Sequence, residues 1–60
     1  MRYNLIQESH NIEITDMSLR ELIYEATNFT DKELRAIAAL RPNNSVTFEN
    51  GCRVECFDEN

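Results

Sequence analysis

Read as alternating hydrophobic and polar positions, the chain divides into two strand-like ends and a helical middle. Near the start, Tyr3 and Leu5 alternate with polar neighbours, and Ile12 and Ile14 do the same after Glu8-Ser9-His10-Asn11. With that tetrapeptide as the turn, Leu5 pairs with Ile14 and Gln7 with Ile12. Tyr3, Leu5, Ile12 and Ile14 then share one face, as a half-buried strand pair requires. Ile6 points to the other side. The pattern predicts strands over about 2–8 and 11–15, although the turn lacks glycine.

The period then changes. Leu19, Leu22, Ile23 and Ala26 fall at i, i+3, i+4 and i+7, a single apolar stripe on a helix over about 19–27. Leu34, Ile37, Ala38 and Leu40 form a broader stripe on a second helix over about 31–41. Each helix opens with a capping box, Ser18-Leu19-Arg20-Glu21 and Thr30-Asp31-Lys32-Glu33. In each, the hydroxyl accepts from a first-turn amide and the Glu reaches back to the cap's own N–H. Hydrophobic staples accompany both, Met17 with Leu22 and Phe29 with Leu34. Asn28 suits a left-handed terminator, and Pro42 cannot continue the second helix. Helices this short do not persist alone in water, so packing must hold them.

Pro42–Ser45 reads as a loop, followed by strands over about 45–49 and 52–57. A two-residue Asn50-Gly51 loop would mix apolar and charged residues on each face. A three-residue loop, Glu49-Asn50-Gly51, pairs Phe48 with Cys52 and Val46 with Val54, and puts Gly51 where a left-handed residue is needed. Val46, Phe48, Cys52, Val54 and Cys56 then share one face, with Thr47, Arg53, Glu55 and Phe57 on the other. Asp58-Glu59-Asn60 reads as a frayed tail. The fold expected is α+β, one small domain over 1–60. It is a single-layer antiparallel sheet built as β-hairpin, two short helices, β-hairpin, with the helix pair packed on one face. Strand order is not readable from the pattern.

Composition narrows the function. A chain of 60 residues buries about 60% of its unfolded surface, so a partner subunit or another staple is a natural support. The absence of an apolar spanning run or a secretory-type start, with only two cysteines, points to a cytoplasmic protein without membrane association. A net charge of −5 disfavours nucleic acid as partner.

The chemistry-bearing residues give no catalytic set. Cys52 and Cys56, four apart on a strand, lie about 13 Å from each other, too far to share a tetrahedral zinc with His10 or to form a disulfide. They read as small buried apolar residues, and neither a metal nor a cofactor is expected. Ser9 and His10 are neighbours expected to project apart, with no third residue to orient the imidazole. Glu8, Glu13 and Asp16 cluster in sequence but need a pocket to separate their pKa values, which so thin a fold hardly supplies. The sole glycine, Gly51, leaves no phosphate loop. The second helix, with Lys32, Arg35 and Arg41 countered by Asp31 and Glu33, lacks the basic face of a DNA reader. The chain is not expected to be an enzyme, and a DNA-binding regulator is the minor alternative.

What remains outside the expected core is more informative. Tyr24 falls roughly opposite the first helix's stripe, ringed by Arg20, Glu21 and Glu25, the surroundings of an interface anchor as well as of a solvated face. Ala36 and Ala39 leave the second helix small and apolar on its outer side, and Ile6 and Phe57 are apolar on the uncovered sheet face. These four are candidates for self-association. The leading expectation is a small acidic protein-binding module, an inhibitor or adaptor that docks on a larger protein, with a basic nucleic-acid-binding protein as its natural target. Phage-encoded acidic inhibitors share this size and charge, a likeness of type that no motif carries. The alternative is a homodimeric or assembly-subunit structural protein.

Overall fold

The structure, a computed structural model, describes residues 1–25 and 29–58. Strands β1 (Arg2–Gln7) and β2 (Ile12–Met17) are followed by helices α1 (Leu19–Glu25) and α2 (Asp31–Ala38), then strands β3 (Ser45–Thr47) and β4 (Cys52–Phe57). The four strands form one antiparallel sheet in the order β2-β1-β4-β3. Its centre is the pairing of the first and last strands, with Leu5 opposite Val54 and Tyr3 opposite Cys56. The two hairpins are thereby joined, and β2 and β3 are left as edges.

Both hairpins have the expected register near their turns. Leu5 faces Ile14 and Gln7 faces Ile12, while Val46 faces Val54. The glycine-free first turn closes as one turn of 3₁₀ helix over Glu8–His10, with Asn11 in the left-handed region at φ 53° and its N–H donating to the Glu8 carbonyl at 3.1 Å. Asn tolerates that region better than most residues. In the second turn Gly51 takes φ 85°, the Gly51 N–H donates to Phe48 O at 3.0 Å, and the Asn50 side chain accepts from the Cys52 amide at 2.9 Å. Asn43, at φ 73°, lies in the turn before β3 that is closed by the Asn44 N–H donating to Arg41 O at 3.0 Å. The Asn43 N–H donates to Cys56 O at 2.8 Å, and the Cys56 N–H donates to Asn44 O at 2.9 Å, so the loop rests against β4.

Further from the first turn the register departs from expectation. A β-bulge intervenes between Leu5↔Ile14 and the next pair, which is Tyr3↔Met17. Asp16 takes φ 58°, its N–H donates to Asn4 Oδ1 at 3.1 Å, and Arg2 Nε donates to Asp16 Oδ1 at 2.9 Å. The Arg2 guanidinium also donates to the Asp16 carbonyl. One extra residue on β2 turns Met17 into the core and keeps Asp16 outside. The strand accordingly runs to Met17, two residues past the expected end.

The core lies on one face of the sheet. Tyr3, Leu5, Met17, Cys52, Val54 and Cys56 meet Leu22 of α1, Ile37 of α2 and Leu40, with Ile14, Leu19, Phe29, Val46 and Phe48 packed around them. Helix α1 lies against β1 and β2. Phe29 and Phe48 meet edge to face, 5.5 Å between ring centroids, tying the start of α2 to the second hairpin. Both capping boxes form, with Ser18 Oγ accepting from the Glu21 amide and Thr30 Oγ1 from the Glu33 amide, each at 3.2 Å.

Four apolar positions depart from their expected burial. Ile12, at the end of an edge strand beside the turn, is 39% exposed, and Ile23 is 44% exposed. Leu22 is fully buried and Leu19 is half-buried, so α1 meets the sheet along a narrower arc than its stripe. On α2, Ala38 is exposed and Ala36 half-buried. The helix ends at Ala38, with Leu40 N–H donating to Ile37 O at 3.1 Å, three residues short of the expected end. The expected helical residues 26 and 27, the Ala26 stripe position, the Asn28 terminator and residues 59–60 of the tail lie outside the described residues.

Candidate functional site

A concave feature lies between the edge strand β2 and helix α1. Ile14, Thr15, Asp16 and Met17 form one wall and Arg20, Glu21, Tyr24 and Glu25 the other, around an open groove of about 400 Å³. All four residues proposed from the sequence as a partner-binding patch line it. Local physics explains how they meet. The Ser18 capping box starts α1 one residue after β2 ends, so the helix folds back beside the strand it has just left. Positions 20, 21, 24 and 25 are spaced i, i+1, i+4, i+5, a strip one to two turns long on the helix side away from Leu22.

The groove is apolar at its floor and charged at its rim. Ile14 is half-buried and Met17 buried, whereas Tyr24 is 80% exposed, the most exposed large apolar side chain among the described residues. The rim carries Asp16, Glu21 and Glu25 against Arg20, with Arg2 on Asp16, an excess of one negative charge. Asp16 is held by Arg2 across the bulge. Glu21 is held by the cap, where the Ser18 amide donates to its Oε1 at 3.2 Å. That bond, with the Ser18 side chain next, keeps the Glu21 carboxyl below its ordinary pKa. Glu21 therefore has two duties, closing the helix start and charging the groove, and only its free oxygen is available to a ligand. The neighbouring like charge of Glu25, one turn on, adds a small repulsion within the helix.

The self-association candidates are not brought together. On the open sheet face Ile6 sits opposite Arg53 and Glu13, and Phe57 opposite Arg2. Four positions along the strands separate them by about 13 Å, so they form no common patch. Between them runs a polar network in which Asn4 Nδ2 donates to Glu55 Oε1 at 3.3 Å and Arg53 pairs with Glu55 Oε2 at 2.9 Å. Ala36 does not face outward as expected. It is half-buried and lines a second hollow of about 530 Å³ with Phe48, Thr47 and Glu33. Ala39 is exposed just past the helix end.

Cys52 and Cys56 are each 2% exposed on the inner face of β4, the buried small residues their spacing suggested. Burial pushes the Cys52 thiol up, against a weaker opposing contact from Gln7. Burial likewise raises the Tyr3 phenol, helped by Cys56 beside it. Ser9 and His10 do meet, Oγ to Nδ1 at 3.0 Å, because the 3₁₀ turn brings adjacent side chains to one side where an extended strand would hold them apart. Both are exposed on the turn. Among the described residues no three His, Cys, Asp or Glu side chains converge as metal ligands, and no helix is long and apolar enough to cross a membrane.

Comparison with protein-family models, with curated proteins and with solved structures returns no match to this chain. The sequence signal for the groove was the exposed Tyr24 with its charged ring. Its other wall, β2, was missed because strand order decides which strand is an edge.

Proposed function

We propose that this protein is a small acidic binding module that docks on a larger protein through the groove between β2 and α1. It acts as an inhibitor or adaptor by occupying a basic surface. The observation that carries this reading is Tyr24, 80% exposed at the mouth of an apolar groove rimmed by Asp16, Glu21 and Glu25. An aromatic ring with a polar tip is enriched at the energetic centre of interfaces, and Tyr24 lies outside the core of the fold. The acidic rim, within a net charge of −5, steers association toward a basic partner. A charge of this size over 60 residues is too diffuse to imitate a nucleic-acid backbone, so charge sets the approach and the groove makes the contact. Two unbridged cysteines suit the reducing cytoplasm, where we place the protein.

The test is capture of partners from a host lysate on immobilised protein, with nuclease present, at low and high salt, comparing the natural chain with Tyr24→Ala. A dominant basic protein retained by the natural chain, weakened by salt and lost from Tyr24→Ala, supports the proposal. Equal retention by both chains removes the Tyr24 groove from the account.

A further inference from the structure

We propose that the ligand of the β2–α1 groove is an extended basic segment of the partner, added to the sheet as a fifth strand on the free edge of β2; this rests on the protein-binding reading above. Strand β2 pairs with β1 on one side, and among the described residues no strand lies on its other side. An edge strand presents a row of backbone donors and acceptors that another strand can take up. The groove begins at Ile14 and Thr15, so a strand paired along Ile12–Thr15 would run into it at one end and meet α1 there. Peptides that add to a sheet edge gain affinity from main-chain hydrogen bonds and specificity from alternate side chains.

Three features select β2 and a basic occupant. The rival edge, β3, is three residues long, whereas β2 has six. The inner-face residues of β2 are incompletely covered, with Ile12 39% exposed and Ile14 half-buried, and a further strand would cover them. Asp16 is held by Arg2 and Arg20 stands on the same rim, so Glu25 and the free oxygen of Glu21 are the groups that match Lys or Arg, whose stems can lie on the Tyr24 ring while their heads reach these carboxylates. A second copy of this chain is the weaker occupant, because pairing β2 with its own copy brings two acidic rims together. The bulge limits the contact. Asp16 is bent at φ 58° and its carbonyl is taken by Arg2, so regular pairing is confined to Ile12–Thr15.

The test uses the heptapeptide Lys-Val-Lys-Thr-Lys-Val-Lys, its Glu-for-Lys counterpart, and two versions N-methylated at alternate residues in opposite phase. Each is titrated against the isotope-labelled protein by NMR. With the peptide at ten times its Kd, exchange of the outward amides within Ile12–Thr15 should slow about tenfold. The Glu peptide should not bind, and E25K should weaken the Lys peptide. Only every second amide of an added strand faces its neighbour, so one N-methylated version should lose binding and the other keep it. Equal binding of both versions, with shifts confined to α1, overturns strand addition and leaves the protein-binding reading intact. Failure of every peptide, while capture from lysate still depends on Tyr24, has the same meaning. Failure of the peptides together with Tyr24-independent capture removes both.

Discussion

Tyr3 of β1 stands opposite Met17 of β2, and between Met17 and the regular pairing at Ile14 the strand carries one residue too many. The bulge decides which side chain closes the core at that end, Met17 or Asp16. It depends on Asp16 tolerating φ 58°, with Arg2 and Asn4 bound to its carboxylate, carbonyl and N–H. A β-branched residue pays most for a left-handed conformation. Asp16→Val should therefore destabilise the protein by about 2 kcal/mol in urea unfolding, from strain and the lost pairing. Asp16→Asn keeps a residue suited to that conformation and loses only a surface ion pair, so its cost should stay below about 1 kcal/mol.

The second prediction separates the two faces of α1. Leu22 is fully buried and its neighbour Ile23 is 44% exposed. Leu22→Ala should cost about 3 kcal/mol through lost burial and the cavity left behind. Ile23→Ala should cost under about 1 kcal/mol, since alanine's higher helix propensity offsets the small loss of contact. Chemical denaturation of the two variants checks the pair, and equal costs would mean that the helix is rotated from its described position.

At the second turn, Gly51→Ala isolates a backbone effect. Gly51 sits at φ 85°, and an added Cβ would have nothing within 4 Å. The loss, about 1 kcal/mol by thermal unfolding, should come from conformation alone. Gly51→Asn should lose less, because Asn visits that region more readily.

Stability should fall at both ends of the pH scale. Cys52 and Tyr3 have raised pKa values in the fold, so in alkali the unfolded chain releases these protons first and is favoured. Their contribution is intact below the ordinary thiol value of 9.0 and declines as pH rises through 9.0 and then the phenol value of 10.0. Glu21 is lowered, so the cap's contribution is present above the ordinary carboxyl value of 4.5 and fades as pH falls through the folded value below it. Urea midpoints from acid to alkali check the profile. Cys52→Ala should flatten the first part of the alkaline decline and leave the acid side unchanged.

How much of this was legible in the chain follows from the range of the interactions. The two caps and the hairpin turns depend on residues within a few positions of each other, and Ser18, Thr30 and Gly51 act where local chemistry placed them. The registers Leu5–Ile14 and Val46–Val54 followed from requiring apolar residues to share a face. The bulge at Asp16 carries no glycine to mark it. It appears only once Met17 must reach a core that β4 completes. The β1–β4 pairing joins the two ends of the chain, and no local pattern encodes it. Helical periodicity gave the stripes on α1 and α2 but not the width of sheet available to cover them, which is why Ile23 and Ala38 lie outside. The Tyr24 face of the site was visible as a misfit in the apolar pattern, while the β2 wall had to wait for the strand order.

Tyr24 is the side chain on which the proposed docking rests. Site-specific incorporation of a benzophenone amino acid at position 24, with position 47 as control, tests it by photo-crosslinking. Thr47 is also exposed, but on the opposite edge strand, β3. The prediction is one discrete heavier product, a complex with a basic protein, from position 24 and not from position 47. Crosslinks from position 47 alone, or a product containing only copies of this chain, would contradict it.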